Sequence, residues 1–252
     1  MNALQIKNLS VAYEDKIVLK DVNISIPVGS LTGIIGPNGA GKSTLIKAIL
    51  NQLPNKTGTV HILDRPLNPK DLIVGYVPQR NAVDWDFPTN ALDVVLMGRY
   101  GHIGLMKKPP AKDKQIALDC LKNVGMEAFA DRSIGQLSGG QQQRVFLARA
   151  LAQEAEIYFM DEPFVGVDAA TERTIISILK DLKAQGKTVF VVHHDLQTAG
   201  DYFDWMILLN KTITAYGPTK QTFTQENLQQ AYGGKLFFMD QAKSNDNLVG
   251  ER

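Results

Sequence analysis

The stretch Gly36-Pro37-Asn38-Gly39-Ala40-Gly41-Lys42-Ser43-Thr44 follows the apolar run Leu31 to Ile35. It opens a segment, Lys42 to Leu53, with helical spacing through Leu45, Ile46, Ile49 and Leu50. Strand, tight loop and helix in that order are what a phosphate-cradling loop of the form G-x-x-x-x-G-K-[ST] requires. Backbone N–H groups from Asn38 to Thr44 would wrap phosphate oxygens, and Gly39 and Gly41 let the backbone approach closely. Lys42 would neutralise β and γ oxygens of a nucleotide, and the Ser43 hydroxyl would ligate Mg²⁺. A plain glycine turn is the alternative, and it leaves the fixed offsets of lysine and hydroxyl unexplained.

Upstream, from Ala3 to Ile35, apolar residues alternate in short runs broken by Tyr13 to Lys16 and Pro27 to Ser30. This reads as hairpin-forming strands leading into one buried strand. Downstream, Val60 to Leu63 and Ile73 to Val77 read as two further strands, the second ending at Pro78-Gln79. From about Arg80 to Leu151 the pattern turns helical, with stretches at Asn90 to Met97, Lys112 to Val124 and Gln141 to Ala152. An inserted helical subdomain over about 85–150 is expected. Strand and helix then alternate again through Ile157 to Met160, Thr171 to Gln185, Thr188 to Val192 and Trp205 to Leu209. Such alternation implies an α/β fold with a mostly parallel sheet and helices on both faces. Residues 1–252 read as a single domain, with the polar segment 243–252 expected as a flexible tail.

A second segment, Leu137-Ser138-Gly139-Gly140-Gln141, stands directly before a helical run containing Val145, Ala148 and Leu151. Ser138 and Gln141 have the spacing of a capping box, and the glycine pair leaves backbone amides at the positive end of the helix open to an anion. Spacing alone leaves a simple helix start and an anion site equally open. Asp161 and Glu162 follow the apolar strand Ile157 to Met160, at the carboxyl end where open α/β sheets bind ligands. Asp161 would hold Mg²⁺ and Glu162 could polarise an attacking water as general base. A pair of solvated acids at a strand end is the alternative. Two phosphate cradles in one chain, with the acidic pair Asp161-Glu162 after the second, suggest closure on nucleotide together with a second copy or a close relative.

The formal net charge of +1 gives no bulk basic field, which argues against sequence-independent nucleic-acid binding. One cysteine, Cys120, excludes an internal disulfide, and its setting reads as a buried or half-buried helix position. His61, His102, His193 and His194 show no metal-site spacing, so any metal should arrive with the nucleotide. The N-terminus lacks a basic region followed by an apolar stretch, and no run approaches the roughly 18 apolar residues of a membrane span. A cytosolic protein is expected.

The ordered set Gly36 to Thr44, Gln79, Leu137 to Gln141, Asp161-Glu162, Val165 to Asp168 and His194 resembles the nucleotide-binding subunits of ATP-binding-cassette transporters, from about Ala3 to Gln230. The resemblance implies a P-loop NTPase core of RecA type with an antiparallel β subdomain and the inserted helical subdomain. It implies hydrolysis of MgATP, with Tyr13 stacked on adenine and Gln79 sensing both Mg²⁺ and the transmembrane partner. Ser138 and Gly140, with Gly139 and Gln141 beside them, would meet the γ-phosphate held on the opposite subunit of an ATP-bound homodimer. His194 would contact that phosphate from its own subunit; it directly precedes Asp195 as in the family pattern, and His193 does not. Tyr13 lies in a turn between strands, where an exposed aromatic with no role is the alternative. Val167 stands where many cassettes have leucine, a departure that leaves Asp168 in place.

Val77 to Pro88, followed by Asp93 to Tyr100, resembles bacterial importers of manganese, zinc and iron, and within them the manganese members. Those work with an integral-membrane permease and, indirectly, an extracellular metal-binding lipoprotein, which implies a peripheral subunit on the cytoplasmic face of the membrane. Zinc, iron or siderophore importers are the nearest alternatives, with an exporter or a soluble cassette ATPase further off. Trp85, Phe87 and Met97 suit either an apolar groove for a permease helix or core packing of the helical subdomain.

Overall fold

A computed structural model of the chain describes residues 1–14, 16–68, 71–85, 87–104 and 107–233; the tail expected at 243–252 lies outside them. Strands β1 (Asn2–Tyr13) and β2 (Lys16–Pro27) form an antiparallel hairpin. Strand β3 (Leu31–Ile35) leaves that hairpin, and the phosphate loop carries it into α1 (Lys42–Ile49). Strands β4 (Lys56–Ile62) and β5 (Arg65–Pro66) then return to the first sheet, which runs β2-β1-β4-β5. Strand β6 (Val74–Val77) enters the second sheet.

Between β6 and the next strand, the described residues form four α-helices: α2 (Ala91–Met97), α3 (Tyr100–Ile103), α4 (Ala111–Asn123) and α5 (Gly139–Leu151). The chain continues through β7 (Ile157–Asp161), α6 (Ala169–Ala184), β8 (Thr188–Val192), α7 (Leu196–Tyr202), β9 (Trp205–Asn210) and β10 (Thr212–Pro218). It closes with α8 (Thr219–Thr222) and α9 (Gln225–Tyr232). The second sheet has the order β10-β9-β3-β8-β7-β6, parallel from β9 to β6 with β10 antiparallel at one edge.

Every residue of β3, β7 and β8 is buried, as expected of central parallel strands covered on both faces. One face carries Ile34, Phe159, Phe190 and Ile207 toward α1 and the first sheet. Phe159 and Phe190 stack there at 4.8 Å between ring centroids. The other face packs with the helices, Leu121 of α4 and Val145 and Ala148 of α5 among them. None of the helices among the described residues is long and apolar enough to cross a membrane.

The four helices between β6 and β7 are tied together by Arg99. Its Nε donates to Asp113 Oδ1 at 2.8 Å and its Nη1 to the Ala152 carbonyl at 2.7 Å and Glu154 Oε2 at 2.6 Å. Arg99 and Asp113 are both buried, so removing the guanidinium leaves a carboxylate without its counter-charge. Arg99→Met should therefore lower the free energy of unfolding in urea by about 3 kcal/mol. Glu154→Gln, at a side chain 58% exposed, should cost far less. Equal losses from the two would contradict the Arg99–Asp113 pair as the anchor.

Candidate functional site

Four segments leave the carboxyl ends of neighbouring parallel strands: Gly36 to Thr44 after β3, His193-His194 after β8, Glu162 after β7 and Gln79 just beyond β6. The phosphate loop is shaped by its glycines. Gly41 has φ +98°, and a Cβ there would meet Leu19 Cδ2 at 2.7 Å and the Val18 carbonyl at 3.0 Å. A Cβ on Gly36 would collide with the Leu209 carbonyl oxygen of β9. The loop thus threads between β2 and β9, and the cavity above it is lined by Val18, Asn38, Gly41, Lys42, Thr44 and Glu162.

Lys42 is buried and its Nζ donates to the carbonyls of Gly36 at 2.7 Å and Pro37 at 3.0 Å. Burial pushes its ammonium below the ordinary lysine value, and Glu162 and Asp161 partly offset this. Ser43 Oγ donates to Asp161 Oδ1 at 3.1 Å. Burial holds the Asp161 carboxyl above its ordinary value; the Ser43 hydrogen bond works against that, and the neighbouring Glu162 adds to it. A hydroxyl beside a buried carboxylate is an oxygen-only donor set of the kind that suits Mg²⁺. Gln79 Nε2 donates to Glu162 Oε2 at 2.6 Å. Glu162 itself has φ +56°, in the left-handed region that non-glycine residues occupy at a cost.

The two histidines divide as their neighbours dictate. His193 is 1% exposed, enclosed by Phe164, Tyr202 and Phe203, with Nε2 2.9 Å from Thr198 Oγ1. Burial and the adjacent His194 push its pKa down to about 4, so it is neutral at physiological pH. His194 is exposed. Asp168 caps α6 by accepting from the Thr171 N–H at 2.8 Å.

Tyr13 ends β1 on the hairpin that supplies Val18 and Leu19, and it is 46% exposed. The Ser138 to Gln141 segment forms the expected capping box: Ser138 Oγ accepts from the Gln141 N–H and Gln141 Oε1 accepts from the Ser138 N–H at 2.9 Å. Its glycines face Arg80 and Thr171 rather than the phosphate loop of the same chain. Helix α5 starts two residues before the expected Gln141 because Ser138 takes the cap position. Trp85, Phe87 and Met97 separate: Trp85 packs edge-on against Phe146 at 5.0 Å, whereas Phe87 is 53% exposed and Met97 is also exposed. Sequence reasoning missed Val18 and Leu19, which close the loop from β2, and Arg80 and Gln142, which meet across 62 positions of chain. Among the described residues no group of three or more His, Cys, Asp or Glu side chains could hold a metal by itself.

Comparison with known proteins gives a consistent picture. The family description "ABC transporter" matches residues 19–165. A manganese transport system ATP-binding protein of Bacillus subtilis is 59% identical over 239 residues, covering 95% of this chain and 96% of that protein. A zinc transport system ATP-binding protein of Treponema pallidum is 56% identical, covering 93% of this chain and 88% of that protein. Among solved structures, a dimeric post-hydrolysis ATP-binding cassette bound to ADP and Pi superposes with a TM-score of 0.75 at 31% identity, covering 86% of this chain and 98% of that chain.

The raised Asp161 pKa has a definite sign for stability. A carboxyl that holds its proton more tightly in the native state than in the unfolded chain costs stability once ionised, and the cost vanishes below the ordinary carboxylate range. Without nucleotide or Mg²⁺, Asp161→Asn should melt at a higher temperature than the parent at pH 7. The gap should narrow on acidification to about pH 4, near the ordinary aspartate value. A parent protein more stable than the variant at pH 7 would contradict burial as the dominant influence on this carboxyl.

Proposed function

Because the chain belongs to the ABC transporter family, we propose that it is the ATP-hydrolysing subunit that energises import of a divalent metal ion, manganese foremost, through a separate membrane permease. One observation carries the ATPase reading: Lys42, Ser43, Asp161, Glu162 and Gln79 converge at one end of the parallel sheet around a glycine-shaped phosphate loop, while similarity to manganese and zinc transport proteins supports the cargo. The loop amides from Asn38 to Thr44, with Gly36, Pro37 and Gly39 setting its path, would hold the phosphates. Lys42 would exchange its two carbonyl partners for phosphate oxygens, a better match for a buried ammonium.

Ser43 and Asp161, with Gln79, would hold Mg²⁺, which supplies charge neutralisation at the β and γ phosphates. Glu162 takes the proton of the attacking water as its oxygen bonds to the γ-phosphorus and the bond to the ADP oxygen breaks. The amide of Gln79, bonded to Glu162 Oε2, orients that carboxylate. His194 would steady the γ-phosphate, and Tyr13 would stack on adenine. Ser138, Gly139, Gly140 and Gln141 of a second copy would complete the site, so a head-to-tail homodimer encloses two ATP molecules.

The exposed Phe87 and Met97 would receive a helix of the integral-membrane permease, placing the subunit peripherally on the cytoplasmic face. The extracellular metal-binding lipoprotein would be met only through that permease. The helical segment over about 85–150 would act as a subdomain within the single ATPase domain of residues 1–252. A zinc importer is the second reading, favoured by the Treponema relative.

Glu162→Gln should keep ATP binding, lose hydrolysis by at least about 100-fold, and run as a dimer on a sizing column when ATP is present. An ATP-saturated monomer would speak against the shared site. For the cargo, cells lacking this chain should lose uptake of labelled manganese while zinc and iron uptake persist; selective loss of zinc would favour the second reading.

A further inference from the structure

Arg80 directly follows Gln79, whose amide holds Glu162. Its guanidinium crosses to α5, where Nε and Nη2 both donate to Gln142 Oε1 at 3.3 and 3.1 Å. Gln142 is 4% exposed, and its own Nε2 donates to the Ile134 carbonyl at 3.1 Å, so the amide is fixed from both ends. The guanidinium also lies flat against Gly139: a Cβ there would come within 3.1 Å of Arg80 Cζ. On its other side the Arg80 carbonyl accepts from Trp85 Nε1 at 2.9 Å, and the guanidinium carbon sits 5.8 Å from the Trp85 ring. Trp85 in turn packs on Phe146, one helical turn further along α5.

The electrostatics are unusual for a purely structural contact. The start of α5 is the positive pole of the helix, and its first turn has no acidic residue. The helix dipole favours an acid at that place, so the Arg80 guanidinium is held there by its bonds to Gln142 and not by the helix field. We propose that Arg80 is a positioning residue, which fixes the Ser138–Gln141 start of α5 relative to the Gln79–Glu162 pair of the same chain. The residue that orients the base of one ATP site is thereby locked to the helix start that completes the other. This rests on the shared-site reading above.

The test compares ATP hydrolysis by wild type, Arg80→Ala, Gln142→Ala and the double variant, with thermal melts as a fold control. Each single change should lower kcat roughly tenfold, the scale of one hydrogen bond to a charged group. KM for ATP should stay within about twofold, because neither side chain lines the phosphate loop. The double variant should be no worse than the poorer single. Arg80→Lys keeps a charge and much of the packing but cannot present two donors to one oxygen, so it should lose kcat as the alanine variant does. A wild-type kcat in Arg80→Lys, multiplying losses in the double variant, or KM rising in step with a falling kcat would each overturn the positioning role. Absence of hydrolysis in the wild type would instead strike at the functional reading itself.

Discussion

The parallel hydrogen-bond ladder joining β3, β8, β7 and β6 is the constraint on which the site depends. Its register pairs Ile34 with Val192, Val192 with Asp161, and Met160 with Val77, so four strands end at one level. The phosphate loop, the histidines, the acidic pair and Gln79 therefore emerge side by side, although nearly 160 positions separate the first from the last. Burial on both faces removes water as a competitor for the ladder, and the Phe159–Phe190 stack fixes the register from the side chains. A slip of one residue would exchange the side chains that each strand sends to its two covered faces.

At the end of that ladder the chain gives up local comfort. Asp161 and Lys42 are buried charges whose ionised forms the surroundings disfavour, and Glu162 holds a backbone conformation costly for a side-chain-bearing residue. These are the features expected where a site is tuned for a charged ligand rather than for the stability of the protein alone. The well-packed strands beneath supply the surplus that makes them tolerable.

Much of this was legible in the sequence because phosphate chemistry fixes spacing. The loop, its flanking strand and the start of its helix could be read from Gly36 to Thr44, and the bounds of β8 coincide with the apolar run Thr188 to Val192. Short-range chemistry was equally visible in the Ser138–Gln141 capping box. Strand β10 was not, since Thr212 to Pro218 is half-exposed at the sheet edge and before Pro218 its only aliphatic side chains are Ile213 and Ala215. The Trp85, Phe87 and Met97 trio could not be sorted, because aromatic and sulfur side chains serve cores and interfaces alike. The meeting of Arg80 with Gln142, and of Gly41 with Leu19, leaves no local pattern; only the folded chain brings such pairs together.

The pairing of β3 also sets an order of events during synthesis. Its pairing with β8 begins at Val189 and with β9 at Trp205, so the strand that carries the phosphate loop has no neighbour in its own sheet until most of the chain has left the ribosome. The β1–β2 hairpin closes on a short turn and can form early, and β4 joins it once the phosphate loop and α1 have been made. A nascent chain paused before residue 189 would present a finished antiparallel sheet next to an exposed, largely apolar strand. That interval is when this protein is most open to misassociation, and the last quarter of its sequence ends it.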